Sequence, residues 1–171
     1  MASSFLGGCT VDTVSLLAIH FEQGHADVDV NCAGGCGGSD RLEAEIELQD
    51  SSQLPSDAVV EFTQYRIDYE LSAPGAPTFE TLTSVVVRKG ESAPFAPSVA
   101  GDAQRQWAAG VGGTVDGRGT ITVSGSDHQA EPIQLVAKFE VRFADFAASS
   151  TSSTSSTSST SSGGGSGAGG N

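Results

Sequence analysis

The sequence predicts an all-β protein folded as a two-layered antiparallel sandwich. The clearest hydrophobic period along the chain is two residues, which is typical of strands with one buried and one exposed face. The segments with this period are separated by turn signals rich in glycine, proline and aspartate. Strands that recur with such punctuation favour a sandwich over alternating β-α-β units.

Strand-prone segments follow one another along the domain. Arg41 to Leu48 and Ile133 to Phe143 alternate apolar and polar side chains most regularly, and Gly119 to Val123 repeats the pattern on a smaller scale. Val28 and Val30 predict a short edge strand, because the neighbouring aspartates protect a sheet edge from pairing with other chains. β-branched residues predict two further strands, in Val11 to Phe21 and Val85 to Arg88.

One long apolar run, from Ala58 onward, changes its facing partway along. Val60 and Phe62 share one parity, whereas the apolar residues of Tyr65 to Leu71 share the other. One additional residue in a strand reverses which side chains point inward. The sequence therefore predicts a bulge or corner near residues 63–64.

A single helical turn is predicted, from Asp102 to Ala109, with Asp102 as its cap. Trp107 is interpreted as a core side chain that packs beneath a long crossover. Turns are predicted at Asp116-Gly117 and from Gly125 to Asp127, where glycine stands beside polar residues.

Composition divides the chain into three parts. The last 23 residues, 149–171, contain only Ser, Thr, Gly, Ala and a final Asn, and a segment of this kind buries too little apolar surface to fold. We therefore expect a disordered tail or spacer there, a β-sandwich domain over residues 11–148, and a truncated signal-like segment over residues 1–10.

Charge excludes some classes of function. The net charge is −13, with 21 acidic and 8 basic side chains, and residues 12–70 hold thirteen of the acids but only two of the bases. Nucleic-acid binding is not expected, because phosphate recognition draws on clustered Lys and Arg. The acidic half is interpreted as a solvated face or as a surface that attracts cations or a basic partner.

The tetrapeptide Leu6-Gly7-Gly8-Cys9 resembles the lipobox of bacterial lipoproteins. The resemblance implies that Cys9 carries a diacylglycerol anchor. Only eight residues, none of them basic, precede Cys9, whereas a secretory signal has a charged n-region and about 7–15 apolar residues. This interpretation therefore places the native start upstream of Met1 and the protein in the bacterial cell envelope, in the periplasm or on the outer membrane. A trimmed start and a chance match are the alternatives.

Three interpretations of Cys32 and Cys36 remain open. The pair forms a disulfide across a small loop in an oxidising compartment, or holds two free thiols, or joins His20 and His25 in a zinc site. An acylated Cys9 leaves an even number of thiols, which agrees with the disulfide.

Weak candidates for a calcium site are Asp27, Asp29 and Asp40, which lie in or beside loops, because hard cations prefer carboxylate and carbonyl oxygens. The sequence predicts no other cofactor. It contains no nucleophile elbow, phosphate-binding loop or zinc-protease motif. The neighbours Ser126, Asp127 and His128 do not predict a catalytic triad, which is defined by spatial geometry.

Three motifs resemble a group of uncharacterised bacterial envelope lipoproteins. They are Tyr65-Arg66-Ile67-Asp68-Tyr69, the strand Gly119 to Asp127 ending in G-S-D, and the closing strand Phe139 to Phe146, F-E-V-R-F-A-D-F. The resemblance covers residues 58–146, about half of the chain. It implies an immunoglobulin-like antiparallel β-sandwich of about seven to eight strands. It assigns no catalytic residues.

These observations predict a non-enzymatic, lipid-anchored envelope protein. Its β-sandwich is expected to be an interaction or accessory subunit of a membrane-associated assembly, held at the membrane through Cys9 and bound to an unidentified protein partner. The alternatives are a surface carbohydrate- or calcium-binding module and an unrecognised hydrolase. Strand edges are the expected place for an assembly interface.

Overall fold

The computed structural model describes residues 16–32 and 40–146, which contain eight strands and one helix. Most of these residues lie in strands, so the all-β prediction is confirmed. The elements are β1 Leu17–Phe21, β2 His25–Asp29, β3 Ala44–Leu48, β4 Val59–Leu71, β5 Phe79–Arg88, β6 Glu91–Phe95, α1 Asp102–Val111, β7 Val115–Asp127 and β8 Pro132–Ala144.

The strands form two sheets around one apolar core. The smaller sheet has the order β1-β3-β6, and the larger has the order β2-β8-β7-β4-β5 and is curled like half of a barrel. All pairings are antiparallel except that of β2 with β8, which is parallel. The prediction of an antiparallel arrangement is wrong at this edge. Parallel strands need a long crossover, and here nearly the whole domain lies between the two.

The predicted alternation is clearest in β3 and β8. On β3, Ile46 and Leu48 are fully buried, whereas Glu45, which precedes Ile46, is exposed. Phe139 and Phe143 are buried in the same way on β8. Side chains from both sheets belong to one core cluster, so each sheet has one face on the core and one face on solvent.

The predicted bulge in β4 is confirmed. In the pairing with β7, Phe62 lies opposite Gly125 but Gln64 lies opposite Ser124, so Thr63 is an additional residue on β4. The pairing with β5 shifts its register at the same place but in the opposite sense, because the two steps from Phe62 to Gln64 span the three from Val85 to Leu82. Because a bulge bends its strand and increases the local twist, it contributes to the curl of the larger sheet.

The bulge turns both tyrosines of β4 inward, toward the segment that leads from β6 to α1. The Tyr65 hydroxyl donates a hydrogen bond to the Ser98 carbonyl at 3.0 Å, and the Tyr69 hydroxyl donates to the Val99 carbonyl. Burial raises the pKa of Tyr65 to about 12 and raises the pKa of Tyr69 as well. These two hydrogen bonds hold the connecting segment against the larger sheet.

The helix begins differently from the prediction. Gly101, not Asp102, is the N-cap residue, so the predicted cap is wrong. The reason is the buried Gln104 side chain, whose carbonyl oxygen accepts the Gly101 N–H at 2.9 Å. Trp107 packs edge-on against the core ring of Phe143, with 6.2 Å between ring centroids, but it is only partly buried, at the margin of the core.

Two features of the strands escaped sequence reasoning. Glycines predicted to form turns, Gly117 and Gly125, lie inside β7, so the turn predictions there are wrong. A Cβ on Gly125 would lie 2.0 Å from the Glu61 carbonyl oxygen, so glycine serves close strand approach rather than chain reversal. The short strand β6 was not predicted, because it contains Pro94, which is tolerated at the sheet edge that β6 occupies.

The raised tyrosine pKa values predict that the tyrosines ionise, and that the fold is lost, only at strongly alkaline pH. Tyr65 and Tyr69 are the two tyrosines of the chain, so the absorbance of tyrosinate reports on these side chains. A pKa raised in the folded state gives stability that is present below the unfolded value near pH 10 and is lost as the pH rises. We expect little tyrosinate absorbance until about pH 12, where it appears together with loss of the far-ultraviolet circular dichroism of the fold. Half-ionisation near pH 10 with the fold retained would contradict the burial of these two side chains.

Candidate functional site

A broad polar surface is the solvent-facing side of the larger sheet, which we call the outer face. Strand alternation places one side chain in two on this surface. In the register, Thr122 of β7 lies between Arg66 of β4 and Val136 of β8. The central part of the outer face consists of Gln64, Arg66 and Asp68 from β4, Thr120, Thr122 and Ser124 from β7, and Gln134, Val136 and Lys138 from β8.

Arg66 and Asp68 form a close ion pair on the outer face. Arg66 Nη2 lies 2.7 Å from Asp68 Oδ1, and Arg66 Nε lies 3.0 Å from Oδ2. The Thr78 hydroxyl also donates to Asp68, at 3.1 Å. These hydrogen bonds, with that of Arg66 the largest contribution, lower the pKa of Asp68, and the same bond raises the pKa of Arg66. Both charges therefore persist over the whole neutral range.

A shallow polar depression of about 370 Å³ lies beside this ion pair. It presents charged, amide and hydroxyl groups together, a combination suited to a polar ligand or to the polar rim of a protein interface. Its lining residues are Gln64, Tyr65, Arg66, Asp68, Glu80, Thr122, Ser124 and Gln134.

A second ion pair occupies the β2 end of the outer face. Arg142 Nε donates to Asp116 Oδ1 at 2.9 Å, and this hydrogen bond is the main reason that the pKa of Arg142 is raised. Arg142 also lies opposite Asp27 in the parallel pairing of β2 with β8. His25 Nε2 lies 3.4 Å from Asp27 Oδ2. The charges at this end are therefore compensated by their neighbours.

The structure does not bring the three candidate calcium ligands together. Asp27 lies beside Arg142, whereas Asp29 accepts a hydrogen bond from the Asn31 N–H at 3.0 Å. Asp40 pairs with Arg105 of α1. Within residues 16–32 and 40–146, no group of three or more His, Cys, Asp or Glu side chains is placed to hold a metal ion.

Asp40 and Arg105 form a buried ion pair between α1 and the chain that leads into β3. Their side chains are only 13% and 10% exposed. The Asp40 carbonyl also accepts the Val99 N–H at 2.8 Å, next to the residues that the tyrosines hold. The ion pair thus holds α1 against the segment that leads into β3 of the smaller sheet. Sequence reasoning missed it because the partners are 65 residues apart.

A groove of about 420 Å³ opens between β5 and the end of β6. Tyr65 forms its aromatic floor with Phe79 and Phe95, whose ring centroids lie 6.1 and 5.7 Å from that of Tyr65. Among the described residues that line the groove, Arg41 is the one ionisable side chain besides Tyr65, so this lining does not place an acid beside a base.

The cysteine predictions fall largely outside the described residues. Cys32 is disulfide-bonded, whereas Cys36 and the proposed anchor Cys9 lie outside, as does the tail from residue 149. The Cys32–Cys36 disulfide therefore remains a prediction, as does the lipid anchor. His20 points outward, 3.3 Å from Glu47, as expected for an exposed histidine on a strand.

The turn after β7 shows what Asp127 does. Its Oδ1 accepts the N–H groups of Gln129 at 2.8 Å and of Glu131 at 3.0 Å. Asp127 thus shapes the tight connection from β7 to β8, a common role for aspartate in turns.

Comparison with known proteins gives no match to any family model, curated protein or solved structure. Across the described part of the chain, no helix has the length and hydrophobicity needed to cross a membrane. Function is therefore inferred from the residues and geometry of the protein itself.

The buried ion pair predicts a large effect of removing Asp40. Asp40→Ala removes the buried carboxylate beside the Arg105 guanidinium and leaves the exposed Asp102 carboxylate, 3.8 Å from Arg105 Nη1, so we expect the free energy of unfolding in urea to fall by about 3 kcal/mol. Asp50→Ala is the matched control, because Asp50 is 81% exposed and lies 3.6 Å from Lys89. Its expected loss is below about 0.5 kcal/mol. Equal losses in the two variants would show that Asp40 has no special structural role.

Proposed function

We propose that this protein is a non-enzymatic, lipid-anchored component of the bacterial cell envelope. In this proposal, Cys9 holds it at the membrane and the β-sandwich is an interaction or accessory subunit of a membrane-associated assembly. The observation that carries the proposal is the outer face, a broad strand-built surface on which charged side chains are held in fixed pairs. A rigid surface with its charges in place favours specific docking, because little side-chain entropy is lost on binding.

The titratable groups also favour binding over catalysis. Catalytic groups are expected in a cleft with pKa values shifted toward neutrality. Burial raises the pKa values of Tyr65 and Tyr69, and hydrogen bonds within the exposed ion pairs of the outer face lower the pKa of Asp68 and raise that of Arg142. All of these shifts lead away from neutrality, so they stabilise structure rather than prepare proton transfer.

We further propose that the fold is of the immunoglobulin-like type. In that fold, strands A, B and E share one sheet, and strands G, F, C and C′ share the other. The orders β1-β3-β6 and β8-β7-β4-β5 follow this arrangement when the strands are assigned in chain order. β2 then adds an edge strand beside β8, and α1 lies in the connection between E and F.

Lipid labelling tests the anchor directly. We expect the full-length native precursor, expressed in a bacterial host with radioactive palmitate, to incorporate label and to fractionate with membranes. Cys9→Ser should lose both properties. The matched control is the double variant Cys32→Ser and Cys36→Ser, which removes two thiols but should still be labelled. An unlabelled native precursor, or label that persists in Cys9→Ser, would contradict the anchor.

The second candidate is a surface carbohydrate-binding module. It is favoured by the polar depression next to Arg66, which combines charged, amide and hydroxyl groups on an accessible face. In this alternative, the ligand is a glycan bound through hydrogen bonds, and the lipid anchor places the module at the cell surface.

A further inference from the structure

The edge strand β5 leaves one side without a partner strand in the described part of the chain. It lies at the end of the five-stranded sheet, is ten residues long, and pairs with β4. Residues 81–87 include no charge and no proline. Proteins usually protect a long sheet edge with charged residues or proline, and β2 at the opposite edge of this sheet carries Asp27 and Asp29. The free side of β5 is therefore a template for strand addition.

The exposed side chains of β5 are ordered symmetrically. Along the outer face they run acid, apolar, small, apolar, base, from Glu80 through Leu82, Ser84 and Val86 to Arg88. Leu82 is 80% exposed and Val86 is 47% exposed, so they are two of the most exposed large apolar side chains in the described residues. If a second strand with the same order runs antiparallel to the first, acid lies opposite base, apolar opposite apolar, and small opposite small.

We propose that β5 pairs with β5 of a second copy of this chain, antiparallel and centred on Ser84. A two-fold axis through Ser84 places Glu80 of each copy opposite Arg88 of the other, and Leu82 opposite Val86. Opposite charges and apolar residues are favourable as direct cross-strand neighbours. The two larger sheets then form one continuous sheet, and each copy presents the same surface, as two-fold interfaces do.

Other registers lose this complementarity. If the two-fold axis moves one residue toward the start of the strand, Leu82 lies opposite Ser84. If it moves one residue toward the end, Leu82 lies opposite Arg88. Either shift leaves a charged side chain without an opposite charge across the axis. A parallel pairing in register places Glu80 opposite Glu80 and Arg88 opposite Arg88, and like charges directly opposite are destabilising. The side chains of β5 therefore select the antiparallel register through Ser84.

Charge reversal tests this pairing in the full chain by sedimentation equilibrium over a series of protein concentrations. We expect the unmodified protein to dimerise. Glu80→Arg and Arg88→Glu each create two pairs of like charge across the axis, and should weaken dimerisation about tenfold. The double variant restores opposite charges and should return the dissociation constant to within about threefold of the original.

Matched controls separate the pairing from a general effect of net charge. Glu140→Arg and Lys138→Glu make the same changes of charge on exposed positions of β8, and should leave dimerisation unchanged. Leu82→Asp is a further variant, expected to weaken dimerisation most because it buries a charge beside Val86. Unchanged melting temperatures and circular dichroism verify that each monomer is folded.

Three results would overturn the proposal. They are a protein that stays monomeric at every concentration, a dimer whose dissociation constant does not respond to the single reversals, and a double reversal that fails to restore the dimer.

Discussion

The additional residue Thr63 in β4 is the constraint on which the rest of the structure depends. β4 is flanked by β5 and β7, so its facing determines what the centre of the larger sheet presents to the core. Before the bulge, Phe62 points inward; after it, Tyr65 and Tyr69 do so. Because side chains alternate with a period of two, a strand without the extra residue would turn one of these groups to solvent. The inward tyrosines then hold the connection that carries α1.

The same change of facing determines what remains outside. Once Tyr65 and Tyr69 point to the core, Arg66 and Asp68 must point to solvent, where they form their ion pair. The buried side chains of Asp40 and Arg105 pair with each other within the fold. The outer face is a polar surface available to partners, and β5 at its end adds a free edge. Core packing and the proposed interactions thus have a common origin in the register of β4.

Local patterns predicted most of the strands and the bulge, because alternation and parity are properties of neighbouring residues. Distant contacts were not predictable in this way. The pairing of Asp40 with Arg105 and the parallel pairing of β2 with β8 join residues far apart in the chain. Gly117 and Gly125 were misread because the carbonyl oxygens that leave no room for a Cβ, those of Glu70 and Glu61, belong to another strand. The outer face was visible only as polar positions in alternating segments, since the sequence does not say which face of a sheet stays uncovered.

Deletion of Thr63 tests the central role of the bulge most directly. Removing this exposed side chain costs little by itself, but closing the ladder forces either the tyrosines or Phe62 to the wrong face. We expect urea denaturation of the deletion variant to show a loss in the free energy of unfolding of at least about 4 kcal/mol, or no cooperative transition. Deletion of Ser52, in the exposed loop before β4, is the control and should cost about 1 kcal/mol or less. A Thr63 deletion variant as stable as the Ser52 deletion variant would contradict the central role of the bulge.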